Sequence, residues 1–155
     1  MLHIRLAEAT TVVMLSIAAV AFAATPLGSA HFKGSGKLCV NNTPDHRFTN
    51  CADRDKFSFH TSSSGRKVLN FAGKVGPLYC GGATYNVTAD KMRVRRHGRF
   101  HKKFTASDPN HPGGQDSVAI KGRFVRHRVA KVSYKLILLW NGDCGGLVRG
   151  KAHAQ

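Results

Sequence analysis

Two stretches of the chain alternate apolar and basic side chains with a period of two, and that alternation leaves little choice of fold. In KMRVRRHGRFHKKF (residues 91–104) the even positions Met92, Val94, Phe100 and Phe104 are apolar, with Arg96, Gly98 and Lys102 as exceptions. The odd positions Lys91, Arg93, Arg95, His97, Arg99, His101 and Lys103 are all basic. A β-strand points successive side chains to opposite faces, so such a pattern belongs to a sheet with one face buried and the other charged. The same parity recurs in SVAIKGRFVRHRVAKVSYKLILLW (residues 117–140). Val118, Ile120 and Phe124 share one face of a first strand there, and Ala130, Val132, Tyr134, Leu136, Leu138 and Trp140 one face of the next.

The turns follow from these faces. A two-residue turn at His97-Gly98 mixes apolar and basic positions. A three-residue loop, Arg96-His97-Gly98, pairs Val94 with Phe100 and puts Gly98 where a left-handed residue follows a type I turn. The expected ribbon then sets Lys91 opposite Lys103, Arg93 opposite His101 and Arg95 opposite Arg99. A loop at Arg126-His127-Arg128 brings the two later strands together, and Asn141-Gly142 is a two-residue hairpin signal. Mid-strand Gly122 marks a bulge or a close approach. Earlier, KFSFH and KVLNF flank TSSSGR, a pairing that sets Phe57 against Phe71 and Phe59 against Leu69. Short alternating runs with turn signals between them predict an all-β, antiparallel sandwich or small barrel built of hairpins.

The N-terminus reads differently. A short region with Arg5, an apolar run from residue 12 to 24 and the small residues Ala21 and Ala23 have the form of a helical secretory signal peptide, residues 1–23. The apolar core is shorter than the roughly 20 residues of a spanning helix, so cleavage and export are expected, with no transmembrane segment afterwards. Residues 24–37 are rich in Gly, Ser, Pro and Lys and read as a flexible lead-in, which leaves residues 38–155 as a single all-β domain.

Export decides how the four cysteines are read. An even set in an oxidising compartment implies disulfides. Each cysteine stands alone, whereas zinc and thioredoxin-like sites need close pairs, so no metal and no cofactor are expected. Three connectivities are open to four cysteines. A local bridge between Cys39 and Cys51 is the simplest pairing. It leaves Cys80 and Cys144, each followed by two glycines that let backbones approach beside a bridge. Closing that long loop would stabilise the domain by roughly 4 kcal/mol in the chain-entropy account.

The order SSSGRKV, MRVRRHGRF, VAIKGRFVRHRVAKVS and a late CGGLVRGKA resembles a group of small, Arg-rich, exported bacterial proteins of unassigned function. The resemblance spans about residues 57–152. It implies an all-β secreted domain and pairing of Cys80 with Cys144, and it lends no activity.

Charge points to a class of partner. The only glutamate, Glu8, lies in the leader, and the whole chain carries a formal net charge of +16. Such a balance attracts polyanions, including anionic envelope polymers and surfaces. The basic ribbon, with Lys91, Arg93, Arg95, Arg99, His101 and Lys103, is the anion-binding candidate. Lys121, Arg123, Arg126, Arg128, Lys131 and Lys135 form a second stripe. The same residues also fit the solvated outer face of a sheet in an arginine-biased chain. No aromatic residues interleave with these charges, so nucleic acid would be held by nonspecific, salt-dependent phosphate contact, with no sequence-specific readout.

A small cationic phosphodiester hydrolase is the competing class, with His60, His97, His101, His111 and His127 available for acid–base chemistry. Nothing in the sequence draws two of them together. The chain contains no G-x-S-x-G, no H-E-x-x-H and no phosphate-cradling glycine loop. No catalytic residue is assigned, and a non-catalytic extracytoplasmic module is the expectation. The sequons at Asn41 and Asn86 matter only in a host that glycosylates them.

Overall fold

Inward-facing positions along the chain are filled mainly by phenylalanine, by aliphatic side chains and by glycine, and together they roll one sheet almost into a barrel. The computed structural model describes residues 24–41, 47–80, 82–108, 111–140 and 144–155, without the side chains of residues 52 and 53. The leader, the Asn141-Gly142 turn, and Asn42 and Thr43 of the first sequon lie outside the described residues. The strands are β1 (His31–Asn41), β2 (Asn50–Thr61), β3 (Lys67–Val75), β4 (Tyr85–Arg93), β5 (Arg99–Ser107), β6 (Gln115–Arg126), β7 (Val129–Leu138) and β8 (Cys144–Ala154). Their order in the antiparallel sheet is β4-β3-β2-β1-β8-β7-β6-β5. Chain neighbours therefore pair in sequence, β1 closes on β8, and the open seam lies between β4 and β5.

The core is aromatic. Phe32, Phe59, Phe71, Phe100, Phe124 and Tyr134 are fully buried. Phe124 meets Phe32 edge-on at 5.4 Å, and Tyr134 meets Phe71 at 5.3 Å, geometries worth about 0.5–1.5 kcal/mol per pair beyond the buried area. The Tyr134 hydroxyl donates to the Lys74 carbonyl at 2.8 Å, so its one polar atom is satisfied. Between the rings stand inward glycines. A Cβ at Gly122 would run into the Phe100 ring, and one at Gly36 would stand 2.7 Å from Val148 Cγ1.

Both expected bridges are present, Cys39–Cys51 and Cys80–Cys144. Cys39 lies directly opposite Cys51 in the β1–β2 register. Cys80 lies in the β3–β4 connection and Cys144 opens β8, so both staples sit at one end of the barrel. The three-residue turn Arg96–Gly98 also forms, with Gly98 at φ 65° and His97 at φ 62°.

Four expectations are corrected. Residues 24–37 are not a lead-in: β1 begins at His31 and occupies the middle of the sheet, between β2 and β8. Its inward side is Phe32, Gly34, Gly36 and Leu38, so glycines mask the alternation. In the β2–β3 hairpin, Phe57 pairs with Gly73 and His60 with Leu69. Irregularity at Phe59 and a left-handed Asn70 (φ 51°) shift the register, although the Phe57 and Phe71 rings still stack at 6.3 Å.

The third correction concerns the basic ribbon, which is not a ladder. The Arg95 N–H donates to the Arg99 carbonyl at 2.7 Å. Beyond that bond the strands part: Lys91 pairs with Leu69, Arg93 with Lys67, His101 with Lys121 and Lys103 with Ala119. Lys102 explains part of this. It occupies an inward position opposite Ile120, with its ammonium 5.5 Å from the centre of the Phe104 ring. Sealing the seam would desolvate that charge, and inward charges on edge strands oppose pairing in this way. Last, Trp140 does not continue the inner row, because β7 ends at Leu138. It is 37% exposed, and its Nε1–H donates to Asp108 Oδ2 at 2.6 Å.

Two outcomes test the packing. Gly122→Ala should lower the unfolding free energy by about 1–3 kcal/mol, through overpacking against Phe100, in chemical denaturation. Unchanged stability would contradict the close approach. Asp116 supplies the second test. It is buried, its Oδ1 has no hydrogen-bond partner, and its carboxyl is pushed up to about 6 by burial and then by Asp108. The folded protein therefore keeps a proton that the unfolded chain releases near pH 4, and stability is lost as pH rises from about 4 through 6. Relative to Asp116→Asn, wild type should lose on the order of 2–3 kcal/mol across that window. Parallel pH profiles would refute this reading.

Candidate anion-binding groove

Outward positions on adjacent strands line up along the hydrogen-bonding direction, and two neighbouring rows of them are almost wholly basic. One row runs Arg99, Arg123, Lys131, Lys151, Ser35, Lys56 through direct register pairs from β5 to β2. The next, two residues along each strand, runs His101, Lys121, Ser133, Arg149, Lys37, Arg54. Each row crosses six of the eight strands.

Between the rows lies the floor of a continuous groove. One depression, about 700 Å³, spans β5 to β8, and a second, about 840 Å³, spans β8 to β2. They share Arg149, Gly150 and Lys151. The floor includes Gly122, Gly150 and Gly36; these positions face inward, so only their backbone meets the groove, and Gly150 lies where the two depressions join. Gly36 pairs with Gly150, and a Cβ on Gly150 would collide with the Ser35 carbonyl. Among the described residues no carboxylate lines either depression. The walls therefore face each other with like charge and no internal counter-ion.

That arrangement has a cost. Arg99 faces Arg123, Arg123 faces Lys131, Lys131 faces Lys151, and Lys37 stands between Arg149 and Arg54. Like charges directly opposite one another destabilise a sheet by a fraction of a kcal/mol each. An anion seated in the groove relieves several such pairs at once.

The sequence-predicted residues divide. Arg99 and His101 form walls at the β5 end, with Lys121, Arg123 and Lys131 beside them. Lys103 and Lys135 lie one row further along, flanking Ala119. Lys91 and Arg93 stand on β4, at the far edge of the sheet order, and Arg95 is in the turn. Arg126 ends β6 and Arg128 lies in the β6–β7 turn, and neither lines the groove. Missed from sequence were Lys37, Arg54, Lys56, Arg149 and Lys151. The outward parity of LVRGKA and of KGSGK was the available signal, hidden because the intervening inward residues are largely glycine.

Three of the five histidines considered for acid–base chemistry are engaged elsewhere. His60 stacks face-to-face on His31 at 4.3 Å, which turns ring faces rather than nitrogens toward each other. Burial, His60 and Lys33 together hold His31 below the usual imidazole range. His111 stacks on Trp140 at 4.0 Å, and the His127 ring donates to the Thr25 carbonyl at 2.6 Å. Among the described residues no three His, Cys or carboxylate side chains converge on a metal-sized site.

Comparison with protein-family models, with curated proteins and with solved structures finds no match to this chain. The arrangement of the fold is still informative. Among the described residues no helix is long and apolar enough to cross a membrane. The barrel is apolar within and basic outside, the inverse of a membrane-spanning barrel. Two disulfides fit an extracellular protein.

If the rows repel as described, Lys131→Gln should raise stability in low salt by a few tenths to about 1 kcal/mol. The gain should shrink as salt screens the rows. Denaturation at two ionic strengths checks this, and destabilisation at low salt would contradict it.

Proposed function

We propose that this protein is an exported, non-catalytic β-barrel that binds anionic polymers, such as those of a cell envelope, through the groove spanning β5 to β2. The observation that carries this reading is the pair of basic rows facing each other across a floor with no carboxylate in the lining. In water a single exposed cation attracts a single anion weakly, but many aligned cations release many counter-ions when one polymer replaces them. The reading favours charge over shape: the one Phe, Tyr or Trp in the lining, Phe100, is buried, which leaves only the imidazoles of His101 and His153 as exposed rings. Binding is therefore steeply salt-dependent and indifferent to the sequence of any nucleic acid used as a probe.

Elution from immobilised heparin tests it against simple net charge. The variant Arg123→Glu/Lys131→Glu/Lys151→Glu changes the charge as much as Lys67→Glu/Lys91→Glu/Arg93→Glu does on β3 and β4. The groove variant is expected to elute at clearly lower salt than the β3–β4 variant. Equal elution would refute the assignment.

A further inference from the structure

The rows do more than supply charge, because they follow a curved path. A line of register pairs runs at right angles to the strands, and barrel strands tilt by about 35–45° from the axis. Six of eight strands in a nearly closed barrel make up about three-quarters of its circumference. The groove accordingly winds around the molecule as part of a helical turn, with basic side chains along both banks, interrupted once on each by a serine. From the proposed polyanion reading, on which this step rests, we infer that the ligand is a flexible single-chain polyanion that wraps the barrel by lying along the groove, across the strands.

Geometry separates that occupant from the alternatives. A planar anionic bilayer touches a convex surface over only a few neighbouring strands, so most of the two rows would face away from it. A DNA duplex is too stiff: even a 40–90° bend spread over 20–30 base pairs costs about 1–6 kcal/mol, and following this groove demands far tighter curvature. A single chain bends freely and meets at least one Lys or Arg at each strand, and two on β6, β8 and β2, about every 4.8 Å. A floor made of inward-facing residues suits a chain of this kind. At Gly122, Gly150 and Gly36 the floor is bare backbone between the two charged walls. Nine Lys or Arg side chains and His101 line the two rows from end to end, interrupted by Ser35 and Ser133.

Oligothymidylates of increasing length and inorganic polyphosphates of defined length serve as probes, beside a DNA duplex of matched phosphate count and anionic phospholipid vesicles. Affinity should climb with chain length until the chain spans six strands, roughly 24 Å measured at the backbone, and then level off. For long oligothymidylate, with about one phosphate seated per strand, the slope of log affinity against log salt should approach about −4, at 0.7 per phosphate for six contacts. Removing either end of the rows, Arg99→Ser/Arg123→Ser or Arg54→Ser/Lys56→Ser, should each reduce that slope by about 0.7 to 1.4. The duplex and the vesicles should bind more weakly per charge. Affinity independent of length, or a duplex that binds as tightly per phosphate as the single chain, would overturn the wrapping inference while leaving the groove as an anion site. Loss of any difference between these variants and Lys91→Ser/Arg93→Ser would overturn the groove reading too.

Discussion

Backbone packed directly against backbone, where β1 meets β8, is the constraint on which the rest of this molecule depends. Gly36 lies opposite Gly150, and Gly34 opposite Ala152. At each of the three glycines a Cβ would meet the backbone or side chain of the neighbouring strand. Only small inward residues let the two ends of the chain's eight-strand run come together there. That contact joins β1–β4 to β5–β8 and turns two four-stranded halves into one curved sheet around a shared aromatic core. The disulfides act at one end of the same structure, Cys39–Cys51 across β1–β2 and Cys80–Cys144 tying the β3–β4 connection to β8. The two bridges thus link elements on both sides of the closure.

The closure also builds the groove. Arg149 and Lys151 on β8 become neighbours of Lys37 and Ser35 on β1 only because those strands pair. Without that pairing the basic residues of β5–β8 and those of β1–β2 would be two separate patches. Inside and outside are therefore coupled: the glycines that permit close packing at the closure bring the charged rows of the two halves side by side on its surface. Repulsion between the walls is tolerated because the aromatic interior holds the strands in place regardless. A fold optimised for stability alone would have interspersed carboxylates along these rows. Of the described aspartates, Asp55, Asp108 and Asp116 are buried, so their charge is withheld from the outer surface.

Much of the fold was legible, for a definite reason. Where inward positions carry Val, Ile, Phe, Tyr and Leu, as in β6 and β7, the period of two is explicit, and the faces read from sequence match the buried set. The turn at Arg96–Gly98 and both disulfides were likewise local or arithmetic inferences. The errors cluster where glycine takes an inward position or where an irregularity intervenes. β1 looked like a linker because Gly34 and Gly36 contribute no hydrophobicity to its alternation. The β2–β3 register slipped at Phe59 and Asn70, a local distortion with no clear sequence mark. The most consequential error, the basic ribbon, came from assuming that consecutive strands sharing a tight turn must pair along their length. Lys102, an exception to the parity, signalled otherwise. Of the candidate residues, Arg99, His101, Lys121, Arg123 and Lys131 lie along the groove, while those of β4 lie across an open seam.

A titration of isotope-labelled protein with a short anionic polymer, followed by amide NMR, tests the central claim most directly. The amides of Gly36, Gly122 and Gly150 are spread over three strands yet lie on one groove floor. If the two rows form one anion-binding channel, these three signals and those of their β5–β2 neighbours shift together at low polymer ratios, while amides of Lys91 and Arg93 on β4 stay in place. Shifts centred on β4, or spread evenly over every basic segment, would contradict it.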